Sequence, residues 1–79
     1  MATKKQTLEL AAQGKGCLGK AADNEPVFVL RAQDRSAAKL VRLWADLARE
    51  QGGCSQVKID EAYKLATQME AWPTRKYPD

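Results

Sequence analysis

The segment from Ser36 to Gly52 constrains the fold more than any other part of the chain. Its apolar residues recur at intervals of three and four, the spacing of one face of an α-helix. Asp34 or Ser36 can cap the first turn, and Gly52 is a natural stop. We therefore predict a helix over 36–51, with Trp44 on the face that enters the core. That face consists of Ala37, Leu40, Val41, Trp44, Leu47 and Ala48.

Two further helices are expected on either side of this one. Residues 4–13 are good helix formers followed by Gly14. Residues 56–71 begin after Ser55 and end before Pro73, whose ring cannot continue a helix. Their apolar face comprises Ile59, Ala62, Ala66 and Met69. The second and third helices then form a hairpin closed by Gly52 and Gly53.

The segment from Glu25 to Ala32 is ambiguous. Its β-branched and aromatic residues favour a strand, whereas Asp23 or Asn24 followed by Pro26 resembles a helix start. A lone strand would have to pair with its copy in another subunit or lie as an extended strap. We predict a mostly α, single small helical domain over 1–79, with a short strand at 27–31 as the open alternative. Residues 1–3 and 74–79 are candidate flexible ends.

The core of such a domain is thin. Leu, Val, Ile and Phe together supply only 14 of 79 residues, and alanine supplies another 13. A chain of this size buries a small fraction of its surface and commonly gains stability by association. We therefore expect a homo-oligomer.

Composition also limits the chemistry. The chain has no histidine, and its two cysteines, Cys17 and Cys54, have no CxxC spacing. The usual acid–base residue near neutral pH is therefore missing, and we expect no enzyme activity, no metal and no cofactor. No apolar run is long enough for a membrane span, and the start lacks the pattern of a signal peptide. We expect a cytoplasmic protein with no membrane partner.

The glycine-rich segment from Gly14 to Ala21 fits the pattern G-x-x-x-x-G-K. A phosphate-binding P-loop needs a Ser or Thr hydroxyl where Ala21 stands, and a strand before the loop, so a true P-loop is disfavoured. The segment is instead expected to be a flexible connector. Lys15 and Lys20, with exposed backbone N–H groups, keep a looser contact with phosphate open.

A stripe of charged residues follows the central helix beside its apolar face. It consists of Arg35, Lys39, Arg42, Asp46 and Arg49. One interpretation is a solvated face in which Asp46 pairs with Arg42 and Arg49. The other is a binding surface for a phosphorylated ligand or an acidic protein, because guanidinium groups bind phosphate through two hydrogen bonds.

The tail after Pro73 combines aromatic and cationic residues. Trp72 and Tyr77 flank Arg75 and Lys76. Such a segment can pack against a neighbouring subunit, or it can stack on a base while its cations contact phosphate. The candidate ligand-binding residues are therefore Arg35, Lys39, Arg42, Arg49, Trp72, Arg75, Lys76, Tyr77, Lys15 and Lys20.

The segment from Asp23 to Asp34, continuing with Leu40-Val41-Arg42-Leu43-Trp44-Ala45, resembles small uncharacterised proteins encoded by bacteriophages and prophages of proteobacteria. Glu70-Ala71-Trp72 is similar to their closing motif, and the resemblance spans about residues 17–75. It implies a phage context and transfers no site residues. Small phage proteins without catalytic residues often resemble inhibitors of host defence that act by stoichiometric binding.

Two functions are therefore compared. In the first, a helical homo-oligomer sequesters a small phosphorylated ligand, such as a cyclic nucleotide signal of an antiphage system, at its subunit interfaces. In the second, the chain binds a protein of a host defence complex, as an anti-CRISPR inhibitor does. Direct binding of DNA or RNA is disfavoured because the mixed charge gives no strongly basic recognition helix.

Overall fold

The computed structural model describes residues 3–77 and is mostly helical, as predicted. Its elements are α1 (Lys4–Ala12), α2 (Gly16–Lys20), α3 (Ala37–Gln51) and α4 (Gln56–Glu70). The predicted helices therefore begin and end within a residue of the observed ones. Residues 3–77 contain no strand, and an isolated parallel bridge joins Asp34 to Lys76.

Capping interactions explain these boundaries. The Thr3 hydroxyl accepts from the Gln6 N–H while the Gln6 side chain accepts from the Thr3 N–H, a reciprocal capping box. Ser55 accepts from the Lys58 N–H at 3.3 Å. At the start of α3, Asp34 Oδ1 accepts from the Ser36 N–H at 2.8 Å, whereas the Ser36 side chain makes no capping hydrogen bond, so the cap predicted at Ser36 is not formed. Gly52 ends α3 with a φ of 73°, in the left-handed region.

The expected connector at 14–21 contains the short helix α2, which packs against α1. Gly19 permits this packing, because a Cβ there would lie 2.9 Å from the Gly14 carbonyl carbon and 3.1 Å from the Ala11 Cα. Among the described residues, α1 and α2 contact each other and neither contacts α3 or α4. No residue of α1 or α2 is buried.

The core lies between α3 and α4 and is made largely of alanine. α3 contributes Ala37, Ala38, Val41 and Ala45, and α4 contributes Ile59, Ala62, Ala66 and Met69. Small side chains let two helix backbones approach closely, so a thin set of residues still forms a continuous contact.

The prediction that Trp44 lies in the core is wrong. Trp44 is 44 % exposed, and Leu40 and Leu47, also placed on the core face, are exposed with it. The apolar residues of α3 cover more of its circumference than α4 can contact. The alanine side meets α4, and the side with the large residues is left outward. We name this surface the α3 outer face; it consists of Leu40, Leu43, Trp44 and Leu47.

Residues 25–31 form neither the strand nor the helix considered for this segment. Val27, Phe28 and Val29 are exposed, Phe28 to 83 %. A strand requires a neighbour with which to pair, and the described chain offers none here. The segment is an irregular, exposed connection between α2 and the turn that precedes α3.

Both ends that are expected to be flexible are described in part, and the described residues make contacts. Thr3 caps α1, and residues 75–77 are docked against residues 33–35. Residues 1–2 and 78–79 lie outside the described residues, where that expectation stays a prediction. Of the helices in 3–77, none is both long enough and apolar enough to cross a membrane.

Candidate functional site

The chain after α4 folds back and docks beside the start of α3. The Lys76 N–H donates to the Gln33 carbonyl at 2.6 Å, and the Arg35 N–H donates to the Lys76 carbonyl at 2.9 Å. Arg75 Nη2 donates to the Arg35 carbonyl at 3.1 Å. The Arg35 guanidinium carbon lies 5.0 Å from the centre of the Tyr77 ring. We name Arg35, Arg75, Lys76 and Tyr77 the tail cluster.

The tail cluster is a cationic and aromatic surface built from two distant parts of the sequence. Arg35 and Tyr77 are exposed, so the guanidinium and the ring face solvent together. α3 begins two residues after Arg35, and the partial positive charge of a helix N-terminus adds to the attraction for an anion. Asp34 adds one carboxylate nearby, and it is engaged by the Ser36 N–H.

The structure divides the predicted basic stripe into paired and unpaired residues. Arg42 forms an ion pair with Glu70 at the end of α4. Arg49 Nη2 lies 3.5 Å from Asp46 Oδ1, and the Arg49 guanidinium carbon lies 5.8 Å from the centre of the Tyr63 ring. The interpretation of a solvated, internally paired face therefore fits Arg42 and Arg49, although the partner of Arg42 is Glu70 rather than Asp46.

Tyr63 joins α4 to α3 and was not recognised in the sequence. Its hydroxyl donates a hydrogen bond to Asp46 Oδ1. That hydrogen bond, followed by desolvation, raises the pKa of the Tyr63 phenol above its ordinary value. Local patterns contain no signal for a contact 17 residues apart, so Tyr63 could be placed only by the structure. Its role is to hold the two helices together.

The remaining candidates lie around the tail cluster or away from it. Lys39 is exposed one turn into α3, and Trp72 is exposed just after α4. Because α3 and α4 form a hairpin, both belong to the end that carries the tail cluster. Lys15 lies just before α2 and Lys20 is its last residue, and α2 makes no contact with α3 or α4 in the described chain. The structure therefore does not bring the glycine-rich segment to the cationic surface.

A shallow groove of about 390 Å³ lies at the opposite end of α3. It continues from the α3 outer face to the turn before α4, and Trp44, Leu47, Ala48, Gln51, Gly52, Gly53 and Cys54 line it. Its walls carry no charged side chain, so it does not suit a phosphate. Within residues 3–77 there is no group of three His, Cys, Asp or Glu side chains that could hold a metal ion.

Comparisons with known protein families, with curated proteins and with solved structures gave no match to this chain.

Proposed function

We propose that this protein sequesters a small phosphorylated ligand, such as a cyclic nucleotide signal, at the tail cluster. The observation that supports the proposal most is the docking of the tail, which joins Arg35 to Arg75, Lys76 and Tyr77 at one surface. Guanidinium groups bind phosphate oxygens in pairs, and an aromatic ring offers a base a face on which to stack. The phosphate of a nucleotide can therefore bind to the arginines, and its base can stack on the tyrosine ring.

Binding without turnover is the mode that these residues favour. The sequence contains no histidine, and the tail cluster consists of cations and a phenol. Such groups neutralise phosphate charge and orient a base, whereas hydrolysis needs a base or metal to activate water. With the resemblance to phage proteins, this supports a non-enzymatic counter-defence role in the cytoplasm of a bacterial host, in a homo-oligomer in which the tail cluster of each copy binds the ligand.

The test is calorimetric titration of the full chain with a cyclic dinucleotide, a cyclic mononucleotide and inorganic phosphate. We expect stoichiometric binding of a cyclic nucleotide and its recovery unchanged by chromatography. Arg35→Gln and Arg75→Gln should each weaken binding at least tenfold, since a hydrogen bond to a charged group contributes about 1.5–3 kcal/mol. Lys64→Gln is the matched control, because Lys64 is exposed on α4 outside the cluster and its replacement removes the same charge.

Three outcomes would count against the proposal. One is the absence of heat with every probe, and another is an equal effect of Lys64→Gln and Arg35→Gln. The third is conversion of the nucleotide to a product, which would show an enzyme rather than a sequestering protein.

The second candidate function is stoichiometric inhibition of a host defence protein. The exposed apolar residues Val27, Phe28 and Val29 favour it, since contiguous apolar patches on small proteins commonly mark interaction sites. It is distinguished from the first by Phe28→Glu, which should abolish inhibition of a protein target while leaving the tail cluster and the α3 outer face intact.

A further inference from the structure

We propose that the α3 outer face is the contact between two copies of this chain, with their α3 helices packed antiparallel about a two-fold axis. The four residues of this face occur at positions i, i+3, i+4 and i+7 and form one continuous strip. α4 covers the alanine side of α3 and leaves this strip without a partner in residues 3–77.

The size of the strip fits a second helix of the same kind. The exposures of Leu40, Leu43 and Trp44 are 41, 53 and 44 %, and that of Leu47 equals that of Trp44. Covering the strip would remove roughly 350 Å² of apolar surface from water in each copy, within the range of functional patches on small proteins. The pair would bury roughly 700 Å² in total, which corresponds to a weak, concentration-dependent association. A two-fold contact matches this strip with an identical one, so the α3 outer face of each copy is covered.

Charge at the edge of the strip sets the direction of packing. Lys39, Asp46 and Glu50 all lie along one edge of the α3 outer face, and the opposite edge carries Trp44 and Gln51. An antiparallel pair brings the two charged edges together, so that Lys39 of each copy meets the acidic half of the other helix. A parallel pair would instead place the charged edge against Trp44 and Gln51.

Two charged residues at this edge, Lys39 and Glu50, are available to pair across the contact between the copies. Lys39 and Glu50 are exposed and have no partner among the described residues, whereas Asp46 is held by Tyr63 and Arg49. The strongest pair across the contact is therefore Lys39 with Glu50 of the second copy. The interface does not include the tail cluster, so this proposal stands independently of ligand binding.

The experiment is sedimentation or light scattering of the full chain over a range of micromolar concentrations. We expect a mass of at least two chains of 8.7 kDa that falls on dilution. Leu43→Glu should reduce the mass to one chain with helicity unchanged, because Leu43 is outside the core. Val57→Glu is the matched control, since Val57 is an exposed apolar residue of α4 and its replacement should leave the mass unchanged.

A charge exchange tests the direction of packing. Lys39→Glu should weaken association at least several-fold, and Lys39→Glu combined with Glu50→Lys should restore it. A wild-type mass of one chain would overturn the proposal, and so would an assembly that persists in Leu43→Glu. Failure of the double variant to recover would overturn the antiparallel arrangement. Arg35→Gln should leave the mass unchanged, so loss of nucleotide binding and loss of association can be told apart.

Discussion

Removing the tail after Thr74 separates its role in binding from any role in folding. The docked tail is held by two backbone hydrogen bonds, one hydrogen bond from Arg75 and the contact between Arg35 and the Tyr77 ring. At the usual strength of each, these contacts together contribute roughly 3–6 kcal/mol to the free energy of docking the tail. These contacts order three residues, 75–77.

The free-energy costs of docking the tail are about as large as the stabilising contributions of these contacts. Ordering three residues costs about 1–2 kcal/mol each in backbone entropy. In addition, Arg75 Nε is buried without an acceptor among the described residues, which costs about 1–3 kcal/mol. The contributions and costs of docking therefore nearly cancel, and the docked tail adds little to the net stability of the fold.

Truncation should consequently change stability little and binding greatly. We expect the free energy of unfolding to fall by less than about 1 kcal/mol, a shift of at most roughly 4–8 °C in a domain of this size. Affinity for a cyclic nucleotide should fall at least tenfold, because Arg75, Lys76 and Tyr77 are removed together.

The assays are thermal unfolding followed by circular dichroism, and calorimetric titration with the nucleotide. The matched control is a chain that lacks only residues 78 and 79, which lie outside the described residues. A truncated chain that binds the nucleotide as tightly as the full chain would refute the assignment of the tail cluster. One that unfolds at ordinary temperature would show that the tail is a structural element.

Two further predictions concern the contact between α3 and α4. Ala62 is fully buried between the helices, so Ala62→Leu should destabilise the protein by about 1–3 kcal/mol in urea unfolding, whereas Glu61→Leu at the exposed neighbouring position should change stability little. Tyr63 donates to Asp46 and has a raised pKa, so its stabilising contribution is fully present below about pH 10 and is lost as pH rises through the folded-state pKa. Unfolding measured across this range should show a decrease in stability that is smaller in Tyr63→Phe; an unchanged decrease would contradict the role given to Tyr63.

Helix boundaries were predictable because local chemistry sets them. Ser55 and Gly52 act within one turn of their own position, and Pro73 prevents a helix from continuing whatever lies around it. The spacing of apolar residues likewise indicated that α3 and α4 pack together. It could not indicate which part of a wide apolar surface would be covered, and so Trp44 was placed inward by mistake.

The tail cluster depended on contacts that no local pattern contains. The cations and the ring were predicted individually, but their meeting requires residues 33–35 to lie beside 75–77. The pairing of Arg42 with Glu70 has the same origin, since the two residues come from different helices. The pairing of Arg49 with Asp46 lies within α3 and could be predicted from spacing, whereas only the hairpin brings Arg42 to Glu70.

The alanine core also determines which mutations this protein can accumulate. Five of its eight buried residues are alanines, and almost every amino-acid substitution that a single-nucleotide change in an alanine codon can cause introduces a larger side chain. The exception is glycine, which costs about 0.5–1 kcal/mol inside a helix. Replacing these alanines by a larger residue or by glycine is therefore destabilising. The residues of the exposed α3 outer face, in contrast, can change in size and polarity without disturbing the hairpin. A lineage of such proteins could alter how its subunits associate while keeping one helical hairpin fixed.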